Sequence, residues 1–275
     1  MLPVSPSIER NLIFDVGASN GDDSAYYLHK GYRVIAVEPH PGSADLLRKR
    51  FRAQIREQRL TVIEAAIAET EGQASFWTCE RVPGWSSFEP AIASYDGSDP
   101  REIIVPTCRF DQLLERFGSP FYCKIDIEGS DRLCLEQMSE NSRPAFVSVE
   151  LPTIGCPAPA LECRLMMDRL GVLGYRRFKV ISQVTYRQAG KVLPAIKARL
   201  PEWVSIRMTH LDKLLRRIRD NEGWRFGSQS SGPFAECTRG RWLDPAEALE
   251  RIAMIQRNTD LSDWYDLHAA LPPGR

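Results

Sequence analysis

Asn11-Leu-Ile-Phe-Asp15-Val-Gly17-Ala-Ser19-Asn20-Gly21 begins as a buried strand and ends as a tight turn. A short apolar run that stops at glycine reads as a strand covered on both faces. The glycines let the backbone come close to a ligand, and the helix read at Ser24–Lys30, closed by Gly31, aims its N-terminus at the same place. Asp22 and Asp23 suit that N-terminus and need no further role. Arg33–Glu38 is the next strand, and Glu38 at its end lies 21 residues after Gly17. An acid at that place accepts the hydroxyls of a ribose in nucleoside-binding α/β sheets. Turn and acid together predict a nucleoside cofactor at the carboxyl edge of a sheet.

Outward from this unit the alternation continues. Pro41–Glu57 carries one apolar stripe, Ala44, Leu47, Phe51 and Ile55, and is predicted as one helix. Leu60–Ala66, Phe121–Ile127 and Ala145–Leu151 read as buried strands, with Phe110–Phe117 and Asp131–Met138 as helices. Gly72–Thr78 and Ile103–Cys108 look extended. Strand–helix alternation of this kind implies a parallel sheet with right-handed crossovers. Later come a helix at Leu161–Leu173, with Leu161, Leu165, Asp168 and Val172 near one face, and a strand at Tyr175–Val184. A helical pair is expected at Ala195–Asn221 and a Gly/Ser-rich loop at Gly227–Gly240, a mobile flap or an ordinary surface loop. Asp244, Pro245 and Glu247 form a helix start of the capping-box type, and Trp264–Ala269 reads as a last strand.

Composition excludes several classes. The 275 residues carry 36 basic and 36 acidic side chains, which argues against a dedicated nucleic-acid binder. Seven cysteines, an odd number without a C-x-x-C pair, argue against a disulfide framework or a zinc cluster and for reduced thiols in a cytoplasmic protein. The N-terminus lacks the charged and apolar regions of a signal peptide, and no apolar run approaches the ~18 residues of a membrane span.

The kind of nucleoside follows from the turn. A dinucleotide site wants G-x-G-x-x-G, whereas this chain has Ser at position 19. Asp15 would repel a pyrophosphate but suit the ammonium and sulfonium of S-adenosylmethionine, which is therefore preferred over NAD. Residues 13–21, Val34–Pro41, Arg109–Leu114 and Lys124-Ile-Asp-Ile-Glu-Gly129 resemble those of the FkbM-like class I methyltransferases, best over residues 11–151. The family usually has Asn where this chain has Ser19. The resemblance implies a doubly wound, Rossmann-like α/β fold. Its seven-stranded, mostly parallel sheet would have order 3-2-1-4-5-7-6, the last strand antiparallel, with helices on both faces. It also implies methylation of a hydroxyl on a sugar, lipid or secondary metabolite. Asp15, Gly17, Ala18, Ser19, Asn20, Gly21, Glu38, Pro39, Ala66 and Asp126 become the candidate cofactor-binding residues, with Ala65–Ile67 around the adenine. The Asp/Asn-Pro-Pro-aromatic motif of amino-group methyltransferases is missing, which argues against a nucleic-acid substrate.

Lys124, Asp126 and Glu128 alternate and so would share one strand face. Three charges on a buried strand are costly unless paired or used. Lys124 and Asp126 form either a satisfied internal pair or a working one, with Asp126 orienting or deprotonating the acceptor and Lys124 lowering its pKa. Glu150, ending the fifth strand, is a third catalytic candidate; His40 and His268 rank lower. Asp126, Glu128 and Glu150 lack an evident fourth partner for a hard cation, so no metal is assigned.

Residues 197–225 hold eight basic side chains against four acids, beside Leu211, Leu214, Leu215 and Ile218. That is a solvated amphipathic helix, or a lid greeting an anionic acceptor or a membrane surface. Trp85, Trp224 and Trp242 are expected in packing rather than on a sugar, and Ser86-Ser87 is expected at the border of the pocket. The chain is read as one catalytic domain, 1–275, with 186–262 inserted as a substrate cap. It is expected to act on a small-molecule or glycan hydroxyl; an NAD-dependent oxidoreductase and a non-catalytic nucleoside binder are the rival readings.

Overall fold

In a computed structural model the alternation read from the sequence takes shape over residues 8–79, 81–94, 97, 99–152, 156–189, 220, 222–257 and 264–273. Two units are distinguished, Met1–Val147 and Ser148–Arg275. The first opens with β1 (Glu9–Val16), whose last five residues are buried. Helix α1 (Asp22–His29) starts at a left-handed Gly21, two residues earlier than predicted, with Asp22 and Asp23 in its first turn. Strand β2 (Arg33–Val37) follows.

The predicted helix at Pro41–Glu57 is two. Helix α2 (Pro41–Arg50) ends at Phe51, whose φ of −110° leaves the helical region, and α3 (Arg52–Arg56) resumes after it. Phe51 is buried, and its ring fills the space beside Gly21. Ala44 and Leu47 are buried too, so the predicted stripe faces inward.

Strand β3 (Leu60–Ile63) is shorter than predicted, because Ala66–Ile67 leaves to become β4 of another sheet. There β4 pairs in parallel with β6 (Arg101–Cys108), and β6 pairs antiparallel with β5 (Gly72–Thr78). Ala66, Phe76 and Val105 form its small core. Helix α4 (Pro90–Ala93) lies between β5 and β6 in the chain. Helix α5 (Phe110–Phe117) sets Phe110 edge-on to Phe14 of β1, ring centres 6.1 Å apart. Strand β7 (Pro120–Ile125) runs parallel to β1, with Asp15 opposite Lys124. It stops two residues before the predicted end. Helix α6 (Asp131–Gln137) and β8 (Phe146–Glu150) complete this stretch.

In the second unit α7 (Pro159–Val172) buries Cys163, Met166, Met167 and Leu170. The predicted face is the exposed one: Leu161, Leu165 and Val172 are all open to solvent. Two thioethers and a thiol fill this interface together with Leu170. Strand β9 (Arg177–Ser182) pairs antiparallel with β10 (Tyr265–Ala270), His268 opposite Lys179. Helix α8 (Pro245–Arg257) has the predicted capping box: the Glu247 amide donates to Asp244 Oδ1 at 2.9 Å, and the Asp244 amide to Glu247 Oε2 at 3.2 Å. Ser230–Ala235, expected in a flap or surface loop, is buried; the Tyr186 hydroxyl donates to the Ser230 carbonyl at 3.0 Å. The helical pair expected at Ala195–Asn221 and most of the basic stretch lie outside the described residues.

Among the described residues the large sheet has order β3-β2-β1-β7-β8-β10-β9. With the three strands of the small sheet left out of the count, this is 3-2-1-4-5-7-6. It is mostly parallel, with β10 antiparallel to β9. All seven cysteines are free, and Cys79, Cys123, Cys134 and Cys163 are buried. No helix among the described residues is long and apolar enough to cross a membrane.

Candidate functional site

The turn after β1 is built on contacts that only glycine allows. Gly17 has φ of +85°, and a Cβ there would sit 1.8 Å from the Asp126 carbonyl oxygen. Its amide and that of Ala18 donate to the Val37 carbonyl at 2.9 and 3.0 Å, tying the turn to the end of β2. Ser19 is also left-handed, φ 47°, a region that asparagine tolerates better than serine. The Ser19 amide donates to Glu38 Oε2 at 2.7 Å, while the His40 amide donates to Glu38 Oε1 at 2.8 Å. Glu38 thus clamps the turn after β1 to the turn after β2. His40 is itself committed, its Nδ1 accepting the Ser43 amide at the start of α2.

A cavity of about 510 Å³, part of it open to solvent, lies at the carboxyl ends of β1, β2 and β7. The two turns form one side through Gly17, Ser19, Glu38 and Pro39, and Ala65–Ile67 forms another. The remaining walls come from Pro83, Gly84, Ser86 and the rings of Phe76 and Phe88, and from the segment after β7. Three carboxyl groups, Glu38, Asp126 and Glu128, line it, with no basic side chain among the described lining residues.

Behind Asp126 is a buried ionic cluster. Lys124 Nζ lies 3.1 Å from Asp126 Oδ2, 3.3 Å from Asp23 Oδ2 and 3.9 Å from Asp15 Oδ1. Asp15 also accepts from the Ser24 hydroxyl at 2.6 Å. Burial raises the Asp15 carboxyl above its usual range, with Lys124 pulling the other way and Asp23 adding to the rise. One ammonium among three carboxylates explains how charges persist on a buried strand, since such charges must be paired.

Burial likewise raises Glu38 to about 7, against the lowering effect of its two amide donors. From its ordinary 4.5 up to about 7, native Glu38 keeps a proton that the unfolded chain has released. Raising pH through that window therefore weakens the fold. The urea midpoint of the ligand-free protein is expected to fall between pH 5 and pH 7.5, and less steeply in Glu38→Gln. Equal slopes for the two proteins would refute the assignment.

The candidate residues divide. Gly17, Ser19, Glu38, Pro39, Ala66 and Asp126 meet at the cavity. Asp15, Ala18, Asn20 and Gly21 are not among its lining: Asp15 is fully buried, and Asn20 exchanges hydrogen bonds with Asp22. Gly21 makes room for Leu47 and Phe51. Lys124 stands behind Asp126. Glu150 ends β8, half-buried, in the second unit. His268 is buried in β10, where burial pushes its pKa down to about 3. Trp242 lies under the Lys179 ammonium and donates to Glu236, a packing role.

The alternation of Lys124, Asp126 and Glu128 fails as a strand pattern, because β7 ends at Ile125 and Glu128 is left-handed, φ 51°. Asp23, expected only to suit the helix N-terminus, is instead a partner of Lys124 in the cluster. Its signal was spacing: Asp23 and Tyr27 are four apart and both buried, so the acid shares the inward face of α1. Ser86 lines the cavity whose border Ser86-Ser87 was read to form, whereas Pro83, Gly84, Phe88 and Asp131 carried no such pattern. Asp131, raised to about 7 by burial, accepts the Ile127 and Gly129 amides and so shapes the turn that carries Glu128.

Comparison with solved structures gives weak global likenesses. The methyltransferase FkbM from Methylobacillus flagellatus KT is 17% identical with a TM-score of 0.43, over 63% of this chain and 40% of that one. Precorrin-6y C5,15-methyltransferase from Geobacter metallireducens GS-15 is 10% identical, TM-score 0.39, over 96% and 82% of the two chains. Phosphoethanolamine N-methyltransferase 2 from Haemonchus contortus, solved with S-adenosyl-L-methionine, is 9% identical, TM-score 0.37, over 97% and 50%. This chain therefore spans well under two thirds of the length of the first and third. A search of curated proteins found no match. The family model described as the Methyltransferase FkbM domain matches residues 15–176, more than half of the chain and all of the turn, clamp and cluster just described. The chain belongs to the FkbM methyltransferase family.

Proposed function

We propose that this methyltransferase uses S-adenosylmethionine to methylate a hydroxyl group on a sugar, lipid or secondary metabolite. The observation that carries the reading is the cavity at the carboxyl ends of three parallel strands, lined by three carboxyl groups and no basic side chain among the described residues. Ligands of open α/β sheets bind at that edge. Such a lining offers a pyrophosphate no cation among the described residues, and the carboxyl groups can accept hydrogen bonds from an ammonium. The residues fit the cofactor in kind. Glu38 spends one lone pair of each oxygen on an amide and retains others for ribose hydroxyls. Ala65, Ala66 and Ile67 offer an apolar wall to a base.

When bound, S-adenosylmethionine supplies a methyl group on a cationic sulfur that departs as a neutral thioether. The protein's share is to hold the acceptor oxygen in line and to take its proton. Positioning contributes up to ~7–11 kcal/mol in such displacements. Asp126 has Oδ2 on Lys124 and leaves Oδ1 for the acceptor hydroxyl, whose proton passes to the carboxylate as its oxygen gains the methyl group. A positioned base adds roughly 10²- to 10⁴-fold. Lys124 holds Asp126 in place from behind. Glu150 is retained as a second acid for the acceptor, and 186–262 as the portion that selects the acceptor within a single catalytic domain.

Thermal unfolding with S-adenosylhomocysteine and with NAD tests the cofactor, because a ligand that binds only the native state raises the melting temperature. S-adenosylhomocysteine is expected to raise it and NAD to leave it unchanged; the reverse overturns the proposal. Asp126→Asn is expected to cut methyl transfer by about 10²-fold or more while leaving S-adenosylhomocysteine affinity within a few-fold. Unchanged turnover removes Asp126 from the mechanism.

A further inference from the structure

Glu128 is the one carboxyl group of the cavity to which neither the clamp nor the lysine cluster gives a task. Its side chain lines the cavity, yet no hydrogen bond or ion pair to that carboxyl is found among the described residues. Its backbone is left-handed, φ 51°, a conformation that is costly for a non-glycine residue and persists only where surroundings enforce it. The surroundings do. The Ser87 hydroxyl donates to the Glu128 carbonyl at 2.7 Å, and Asp131 holds the Ile127 and Gly129 amides on either side. Gly129 follows at φ +97°, where a Cβ would meet Ile92 Cδ1 at 2.9 Å. The backbone that carries the side chain is thus held in place, and the carboxyl group at its end is unspent among the described residues.

Its neighbours decide its protonation state. A Glu128 carboxyl oxygen lies within 4.8 Å of one of Asp126. Two carboxyl groups so close oppose each other's charge, and Glu128 is the one without a lysine beside it. Lys124 contacts Asp126, not Glu128, among its ion pairs. Burial first, then Asp126 and Asp131, push Glu128 well above the ordinary glutamate range, with Lys124 opposing weakly.

We infer that Glu128 acts as a neutral carboxylic acid that donates a hydrogen bond to the acceptor, beside the proton-accepting Asp126, and so selects an uncharged acceptor gripped at two adjacent oxygens. The inference rests on the proposed acceptor role of Asp126. A carboxylate that only accepts and a carboxylic acid that donates are complementary to a vicinal pair: one hydroxyl gives its hydrogen to Asp126, and the next oxygen receives that of Glu128. A phosphate or carboxylate on the acceptor would meet Asp126 with no cation among the described lining residues to offset it. The acceptor chemistry this pair of carboxyl groups suits is therefore a neutral vicinal diol or hydroxy-carbonyl unit rather than an anionic one.

The test uses the full chain loaded with S-adenosylhomocysteine, after calorimetry has established that loading. Failure to load would sink the cofactor reading and leave the state of Glu128 to be decided by infrared spectroscopy of the free protein. Wild-type minus Glu128→Gln difference spectra at pH 7 are expected to show a protonated carboxyl band, and its absence overturns the inference. Binding of cis-1,2-cyclohexanediol, cyclohexanol and cyclohexyl phosphate is then compared by saturation-transfer NMR. The diol is expected to bind about ten-fold more tightly than the mono-alcohol, the value of one hydrogen bond in a desolvated site, and the phosphate not at all. Glu128→Leu is expected to erase the preference for the diol, whereas Glu128→Gln, still a donor, keeps most of it. A phosphate that binds as well as the diol, a diol no better than the mono-alcohol, or a Gln variant as impaired as the Leu variant would each refute the assignment.

Discussion

Gly17→Ala is expected to lose roughly 2–5 kcal/mol of stability, combining a left-handed alanine with an overpacked contact, and to lose S-adenosylhomocysteine binding with it. The added methyl would sit 1.8 Å from the Asp126 carbonyl oxygen and 3.2 Å from Ile127 Cγ2. The peptide that carries this oxygen is held on both sides: its Ile127 amide donates to Asp131 Oδ1 at 3.4 Å, and the preceding Asp126 amide donates to the Val16 carbonyl at 2.9 Å. Relief requires separating the ends of β1 and β7, which opens the cavity wall. Gly21→Ala is the informative comparison. Its methyl would come within 2.6 Å of Leu47 Cδ2 and Phe51 Cε2, both side-chain atoms that can shift. Urea unfolding of the two variants is expected to rank Gly17→Ala as clearly the worse. Equal midpoints would mean that the strand ends adapt easily and that the close approach is unimportant.

Lys124→Met is the second large effect. Met matches the length of the lysine stem but leaves Asp15, Asp23 and Asp126 facing one another without a cation. Removing one partner of a buried ion pair costs about 3–5 kcal/mol. Protonation of the carboxyls relieves part of this at low pH, so the loss is expected to grow as pH rises. Adding Asp23→Asn removes one of the orphaned charges and is expected to recover a measurable part of the stability, as a double-mutant cycle would report. A Lys124→Met protein within 1 kcal/mol of wild type, at the scale of surface pairs, would show that the cluster is not an ionic one.

The legible parts of this molecule were those in which one residue type has one physical use. A glycine ending an apolar run, an acid ending the next strand and the Asp244–Glu247 box each announced a local geometry that the fold contains. What was hidden depended on partners far along the chain. Ala66–Ile67 is too short to declare itself a strand, and only its register with Thr107 and Cys108 makes it one. Phe51 fitted the stripe of a continuous helix, yet its demand for the space beside Gly21 coincides with the break. On α7 the apolar pattern admitted two faces, and the sulfur-bearing one was buried. At the candidate site the turn, its clamp and the Ser86 border were readable, but Pro83, Gly84 and Phe88 were not, since loop residues acquire meaning only from what they close upon.

The three-way lysine bears on any recombination of this chain with a relative. Its carboxylate partners come from β1, from α1 and from the segment just past β7, while the lysine itself is in β7. A crossover point anywhere between residue 23 and residue 124 separates donors of charge from their recipient. Chimeras cut there inherit an unmatched set unless both parents carry the same four side chains. The indivisible block for exchange is therefore not a contiguous module but a quartet, and loop swaps that leave the quartet whole are the ones expected to yield folded hybrids.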